Sequence, residues 1–178
     1  MAEHDGSFRR LMEMVRGQPT VTGGRPGRPP KNRIPTTGHF ATHLHERMKA
    51  LSKMRTQHVD HLISTSDLYN DAAKQLATDL HGLLGDELRL PAGAVTLSGI
   101  FGLREMVSER PLVVALRDLE FQTVEQTRTT LYLDQAIWDA LLEISFRFGL
   151  QMRRPIHVHR LLELSAAWYL AGEESPTE

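Results

Sequence analysis

Residues 127–149, TRTTLYLDQAIWDALLEISFRFG, pass from a two-residue to a helical repeat of apolar positions. Between 128 and 133 polar and apolar side chains alternate, which predicts a strand whose two faces differ. One face carries Thr129, Leu131 and Leu133. The opposite face carries Arg128, Thr130 and Tyr132.

An amphipathic helix follows this strand, with Asp134 at the N-cap position and an apolar stripe that ends at Gly149. After the basic turn LQMRR, Pro155 suits the first position of a second helix, which Gly172 ends. A strand and two helices in about 45 residues bury too little apolar surface to be stable alone. The strand therefore needs a mate. Two sources remain open, namely the same stretch of a second copy and the upstream runs LVVAL or LEFQTV.

Residues 38–84 form a long helical pattern without proline. Its apolar positions recur in steps of three and four, as on the a/d seam of a coiled coil or on a stripe packed against other helices. The seam comprises Val59, Leu62, Ser66, Tyr69, Ala73, Leu76, Leu80 and Leu83. One unbroken helix and two helices both fit, since STSD at 64–67 can cap a second helix through Ser64 or Ser66.

The patterns are weaker in two further segments, the N-terminal region and residues 85–126. SFRRLMEMVRG, residues 7–17, predicts a short amphipathic helix, and the Gly- and Pro-rich stretch after it predicts disorder. Within 85–126 we expect a helix over about 97–108. The run PLVVALRDLEFQTV fits either a buried strand or a helix.

Charge is distributed unevenly along the chain. Residues 1–35 carry a local net charge of +4 and the remainder carries −5, for a total of −1. A basic arm on a mildly acidic body indicates a polyanionic partner for the arm. With no cysteine, no signal peptide and no membrane-length apolar run, the sequence predicts a soluble cytoplasmic protein.

The C-terminal stretch 128–171 resembles the ribbon-helix-helix family of DNA-binding proteins in the order, lengths and cap positions of its elements. The resemblance implies that two copies exchange helices and pair their strands into a ribbon that enters the DNA major groove. It also implies that the outward side chains Arg128, Thr130 and Tyr132 read bases. The family binds phosphate at the start of its second helix, where Arg153, Arg154 and His157 stand here. This turn departs from the family in its length and in lacking the usual Ser or Thr.

GGRPGRPPKNR, residues 23–33, resembles an AT-hook, in which Gly and Pro keep the backbone narrow while arginines enter the minor groove. The usual core Arg-Gly-Arg-Pro is here Pro26-Gly27-Arg28-Pro29. The expected contacts of this arm are Arg25, Arg28, Lys31 and Arg33. Plain phosphate attraction and a linker without a DNA role remain alternatives.

Other chemistry finds little support in the sequence. The nine histidines complete no H-E-x-x-H motif, and no phosphate-binding loop, nucleophile elbow or dinucleotide fingerprint occurs. We therefore expect no metal, no cofactor and no enzymatic activity.

The sequence thus predicts a mainly α protein with a flexible basic arm (1–37), a helical middle region (38–126), a ribbon-helix-helix module forming an intertwined homodimer (127–172) and a disordered tail (173–178). The middle region could oligomerise or bind another protein. The function that the resemblance implies is sequence-specific binding of double-stranded DNA, as a bacterial transcriptional repressor, a plasmid partition protein or a relaxosome accessory protein. It also implies a location on the nucleoid or on a plasmid. A helical scaffold without DNA binding is the alternative of another class.

Overall fold

The computed structural model describes residues 5–17, 33–60, 62–92, 100 and 125–173. Within these ranges the fold is mainly helical, with five helices and a two-stranded antiparallel sheet. In chain order the elements are α1 (Asp5–Gly17), β1 (Arg33–Ala41), α2 (Thr42–Gln57), α3 (Thr65–Leu84), β2 (Gln126–Asp134), α4 (Gln135–Met152) and α5 (Val158–Glu173).

The two strands form a ribbon within one chain. Thr37 lies opposite Thr130 at the middle of both nine-residue strands, and their hydroxyl oxygens are 2.7 Å apart. Arg33 lies opposite Asp134 at one end, and Ala41 lies opposite Gln126 at the other. The backbone groups that β2 directs toward its partner strand are thus satisfied inside the molecule.

The expectation that β2 pairs with its copy in a second subunit is wrong, because its mate is β1. The upstream runs LVVAL and LEFQTV, considered as alternatives, lie outside the described residues. A strand tethered to the same chain meets β2 at a far higher effective concentration than a strand of another molecule does. The ribbon therefore needs no second copy.

The chain contains two strand–helix–helix units in the same spacing. Each element of the second unit begins 93 positions after its counterpart, as the starts of β1 and β2, of α2 and α4, and of α3 and α5 show. Thr37 and Thr130 are equivalent in this alignment and also face each other. The ribbon thus has an approximate two-fold axis between these two threonines.

Hydrogen bonds repeat with the same spacing. Ser52 donates its hydroxyl to the carbonyl of Ile63, and Ser145 donates to the carbonyl of Ile156. In both units this bond closes the turn between the two helices. The similarity of the units therefore extends from element order to individual contacts.

The core lies beneath the inner face of the ribbon. Phe40 of β1 and Leu133 of β2 are fully buried, as are Met48 of α2 and Leu141 of α4 at equivalent positions. The apolar stripe predicted for α4 is confirmed, with Ile137, Leu141, Ile144 and Phe148 all buried. The predicted amphipathic α1 is also confirmed, and it buries Phe8, Met12 and Val15 in the same core.

The helical pattern from 38 to 84 is not one helix. Residues 38–41 belong to β1, α2 ends at Gln57, and α3 begins after Ser64, which forms a reciprocal capping box with Asp67. The predicted seam therefore starts too early. Val59 and Leu62 lie in the turn and are exposed, whereas the seam residues Tyr69, Ala73, Leu76 and Leu80 pack in the core.

In the second unit one predicted cap is confirmed in position only, and two predicted helix ends are wrong. Asp134 is the N-cap residue of α4, as predicted, but its side chain makes no cap bond and instead accepts a hydrogen bond from Arg33. Gly149 lies inside α4, where its missing side chain lets the carbonyl oxygen of Arg154 approach; a Cβ there would lie 3.1 Å from that oxygen. Helix α5 begins at Val158 rather than Pro155, so the turn between α4 and α5 is longer than expected.

The predicted domain boundaries fall inside elements of the structure. The division at 37/38 falls inside β1, and residues 33–84 share one hydrophobic core with 126–173. Residue 173 still belongs to α5. The predictions for 18–32, 93–99, 101–124 and 174–178 lie outside the described residues. No described helix has the length and apolar character needed to span a bilayer.

Candidate functional site

The outer face of the ribbon faces solvent. The predicted base-reading residues Arg128, Thr130 and Tyr132 are all exposed on this face. Strand β1 adds three further exposed side chains that sequence reasoning missed: Pro35, Thr37 and His39. Together the six form a continuous surface of charged, hydroxyl, imidazole and aromatic groups.

The two ends of this face differ in chemistry. On one side of the central threonines, His39 lies opposite Arg128, with Gln126 beyond them; we name this end the Arg128 half. On the other side Pro35 lies opposite Tyr132, and we name this end the Tyr132 half. The Arg128 half is rich in hydrogen-bond donors, and the Tyr132 half is largely aromatic and apolar.

Arg33, predicted as part of the basic arm, belongs to β1 at the edge of the Tyr132 half. Its guanidinium contacts Asp67 at 2.7 Å and Asp134 at 2.9 Å. Burial disfavours the charged form, but the hydrogen bonds and negative charges of the two carboxylates outweigh burial and raise the pKa of Arg33. This cation is engaged inside the protein, in contrast to Arg128.

The Arg128 half is flanked by the start of α5. Gly38 packs so closely there that a Cβ would lie 2.9 Å from the Cβ of His159. The imidazoles of His157 and His159 stack at 5.4 Å. Burial, followed by the nearby charge of Arg160, lowers the pKa of His159, so this ring is neutral at neutral pH.

The Tyr132 half is flanked by the start of α3. The Tyr132 amide donates to the hydroxyl of Ser66 at 3.1 Å, and the Asn70 side chain donates to the Tyr132 carbonyl at 2.9 Å. The first turn of α3 also holds Asp67, whose pKa is lowered by hydrogen bonds to Ser64 and Arg33 against the opposing effect of burial. This flank therefore carries a carboxylate near the ribbon.

The residues predicted to bind phosphate lie in the turn between α4 and α5. Arg153, Arg154 and His157 are exposed, and Arg153 adopts a left-handed backbone conformation with φ of 54°. The Arg154 amide donates to the carbonyl of Gly149 at 3.1 Å, which fixes the turn against α4. Arg25, Arg28 and Lys31 lie outside the described residues.

The histidines do not gather with carboxylates into a ligand set. In the described parts of the chain, no group of three or more His, Asp or Glu residues is placed to hold a metal ion. His39 lies on the outer face of β1, and His45 is buried in α2 between aromatic rings.

One feature of the sequence indicates that β1 is a strand equivalent to β2. The Thr-Thr pair at 36–37 recurs at 129–130, and an apolar stripe follows each pair at the same distance. The surrounding residues hid this repeat, because Pro35 and Gly38 are unusual in strands.

No protein-family model matches this chain, and neither a curated protein nor a solved structure matches it.

Proposed function

We propose that this protein binds double-stranded DNA sequence-specifically through the outer face of its β1–β2 ribbon, as a single-chain counterpart of a ribbon-helix-helix dimer. The observation that carries the proposal is the exposed surface formed by Arg128, Thr130, Tyr132, Thr37 and His39 on two paired strands. A two-stranded ribbon fits the width of the major groove.

The side chains on this face have the chemistry that base recognition needs. Arg128 can donate two hydrogen bonds to the O6 and N7 atoms of guanine. The central threonines can bond a base edge or contact the methyl group of thymine. Tyr132 offers both a ring and a hydroxyl group.

Charged residues beside the ribbon would contact the DNA backbone. Arg153, Arg154 and His157 are the proposed phosphate contacts, and the basic segment that precedes β1, with Arg25, Arg28 and Lys31, is the proposed minor-groove contact. Such contacts position a protein on DNA without specifying sequence. Arg33 is left out of this set because Asp67 and Asp134 engage it.

Among the roles that such modules serve, we propose transcriptional repression at a site near the protein's own gene. Partition of a plasmid and relaxosome assembly use the same kind of contact with DNA. These roles differ in where the bound DNA lies and not in how the ribbon binds it.

The test is a titration of the full chain with labelled duplexes from the DNA flanking its own gene, followed by footprinting. We expect retardation of one fragment that weakens steeply as salt rises, because bound cations release counterions from the phosphates. Arg128→Ala should reduce the site-specific affinity about 5- to 150-fold, the range expected for loss of one bidentate base contact.

The matched control is Arg89→Ala. Arg89 is exposed, pairs with Glu87 and lies in the segment after α3, so its loss changes the net charge equally without touching the ribbon. Equal losses for both variants would reduce the contact to general charge attraction. No retardation of any duplex by the wild-type chain would contradict the proposal and favour the scaffold alternative.

A further inference from the structure

The ribbon carries two different half-faces, although the backbone that presents them is nearly two-fold symmetric. Positions 93 residues apart are equivalent, so Pro35 stands where the other strand has Arg128, and His39 stands where it has Tyr132. A ribbon built from two identical chains would present the same side chains at both ends. This ribbon does not.

From this difference we infer that one chain recognises one non-palindromic DNA site, whose guanine-containing half is read by Arg128 and His39. The inference rests on the proposed function and specifies its substrate. It depends on the chemistry of the two halves and on both halves belonging to one chain.

Base-edge donors are concentrated at one end. His39 and Arg128 are opposite each other on the outer face, with Gln126 next along the same face of β2. Both an arginine and an imidazole N–H can donate to guanine acceptors in the major groove. The Arg128 half should therefore prefer guanine.

The other end offers much less directional bonding. Pro35 has neither a side-chain donor nor an acceptor, and the Tyr132 hydroxyl is the single polar side-chain group of the Pro35–Tyr132 pair. An apolar ring suits the methyl group of thymine. This half should specify sequence weakly and prefer A·T pairs.

The charged side chains flanking the two halves add little to this difference, because they are paired with opposite charges. At the edge of the Tyr132 half, the guanidinium of Arg33 is bound by Asp67 and Asp134, which leaves no net positive charge in that cluster. Beyond the Arg128 half, Arg160 and His157 lie in the first part of α5 and just before it. Arg160 is itself paired with Glu163, so the asymmetry near the ribbon depends mainly on Arg128.

Asymmetry of this kind requires the two half-faces to differ within one molecule. The pairing of β1 with β2 in one chain supplies this condition without a second subunit. Because each strand is encoded separately, each half-face can carry its own side chains. A palindromic site would place identical bases under unlike side chains, and it would satisfy at most one of them.

The experiment is an affinity selection with the full wild-type chain on duplexes that hold a random core of about 20 base pairs, roughly two turns of B-DNA. The selected duplexes are sequenced, and the number of chains per duplex is measured by native mass spectrometry. We expect a motif without inverted symmetry, with guanine defined at one end, and one chain per duplex. Selection with Arg128→Ala should lose the guanine preference about 5- to 150-fold at that end alone.

A second variant tests the inference by making the outer side chains of the two strands alike. Pro35→Arg with His39→Tyr places an arginine opposite a tyrosine on each side of the central threonines, at exposed positions where the equivalent residues of β2 are already accommodated. We expect its selected motif to become an inverted repeat with guanine specified by an arginine at each end. Circular dichroism and the unfolding midpoint confirm that the variant is folded.

The outcomes separate the two proposals. An inverted repeat selected by the wild-type chain, or two chains per duplex, would overturn the inference while sequence-specific DNA binding stands. Binding without enrichment of any sequence would contradict the sequence specificity that both proposals share. Failure to retain any duplex would instead contradict the proposed function itself.

Discussion

Asn70 and Glu163 occupy equivalent positions in the two units and hold opposite ends of the ribbon by the same kind of contact. The side-chain oxygen of Asn70 accepts from the amide of Asp134 at 2.8 Å, and Glu163 accepts from the amide of Ala41 at 2.6 Å. Asn70 lies in α3 and Glu163 in α5, so each second helix supports the strand of the other unit. The two units are therefore interlocked, and neither strand is held by its own helices alone.

We expect Glu163→Leu and Asn70→Leu to destabilise the fold by about 1–3 kcal/mol each, because each leaves a strand amide without its acceptor. Glu163 is 1% exposed, so water cannot readily replace the carboxylate. Urea unfolding of both variants measures the loss. Glu46→Leu is the control on a solvent-facing site of α2, and its free energy of unfolding should hardly change. Equal stability of all three variants would contradict the supporting role of these contacts.

Substitutions of Arg33 and of Arg128 should have different effects, one on the stability of the fold and the other on DNA affinity. Arg33→Ala leaves Asp67 and Asp134 without their cation, and we expect a loss of about 1–2 kcal/mol, more than an exposed ion pair contributes. Its effect on DNA affinity, measured well below the unfolding midpoint, should be small.

Arg128→Ala should lower the DNA affinity and hardly change the free energy of unfolding, since the Arg128 side chain is exposed and lies on the outer face of the ribbon. For both variants, urea unfolding measures the stability and fluorescence anisotropy with a labelled duplex measures the DNA affinity, on the same protein preparation. A large affinity loss from Arg33→Ala in a fully folded sample would place Arg33 among the DNA contacts after all.

Stability should fall as the solution becomes acidic below about pH 6.5, the usual histidine pKa. His45 is 4% exposed and lies 6.0 Å from the ring of Tyr69; burial, then the charge of Lys49, lower its pKa. The unfolded chain therefore takes up a proton near pH 6.5 while the folded chain resists protonation until a lower pH. Fewer protons are bound in the folded state across this window, so the free energy of unfolding decreases as the pH falls through it.

His159 has a lowered pKa as well and should act with the same sign. Urea unfolding at several pH values between about 7.5 and 5.5, one unit either side of the usual pKa, measures the slope. His45→Phe should flatten that slope, because it keeps an aromatic ring between Phe40 and Tyr69 and removes the proton. An unchanged slope in this variant would show that other groups govern the acid sensitivity.

The second unit could be predicted from the sequence because its patterns are strong. Alternation marks β2, and the stripe through Ile137, Leu141, Ile144 and Phe148 marks α4. Its helix ends were less predictable. The turn after α4 is set by tertiary packing, in which Gly149 admits the carbonyl of Arg154 and Arg153 takes the left-handed conformation without being glycine.

The first unit could not be recognised from its own strand. RIPTTGHFA contains proline and glycine, and each is accommodated by a contact that only the folded chain provides. The Tyr132 amide points away from β1 toward Ser66, so Pro35 and Tyr132 form a non-hydrogen-bonded pair and the missing proline amide removes no ladder bond. Gly38 leaves room for His159. The β2 side of the outer face, with Arg128, Thr130 and Tyr132, could thus be predicted from the alternation. The β1 side, with Pro35, Thr37 and His39, could not, because it depends on the pairing of β1 with β2.

Pairing within one chain can be tested by cysteine cross-linking, since the natural chain has no cysteine. Thr37 and Thr130 are Cα partners in a non-hydrogen-bonded register, where Cα atoms lie about 4.5 Å apart and a disulfide can form. A ribbon made by two copies of β2 would instead bring Thr130 against its own counterpart.

The most direct measurement is non-reducing electrophoresis with peptide mass mapping of oxidised Thr37→Cys/Thr130→Cys and of Thr130→Cys alone. We predict that the double variant forms one bridge inside a monomeric chain, and that the single variant remains a monomer with a free thiol. A covalent dimer formed efficiently by Thr130→Cys alone would contradict the single-chain ribbon, together with the asymmetric DNA site inferred from it.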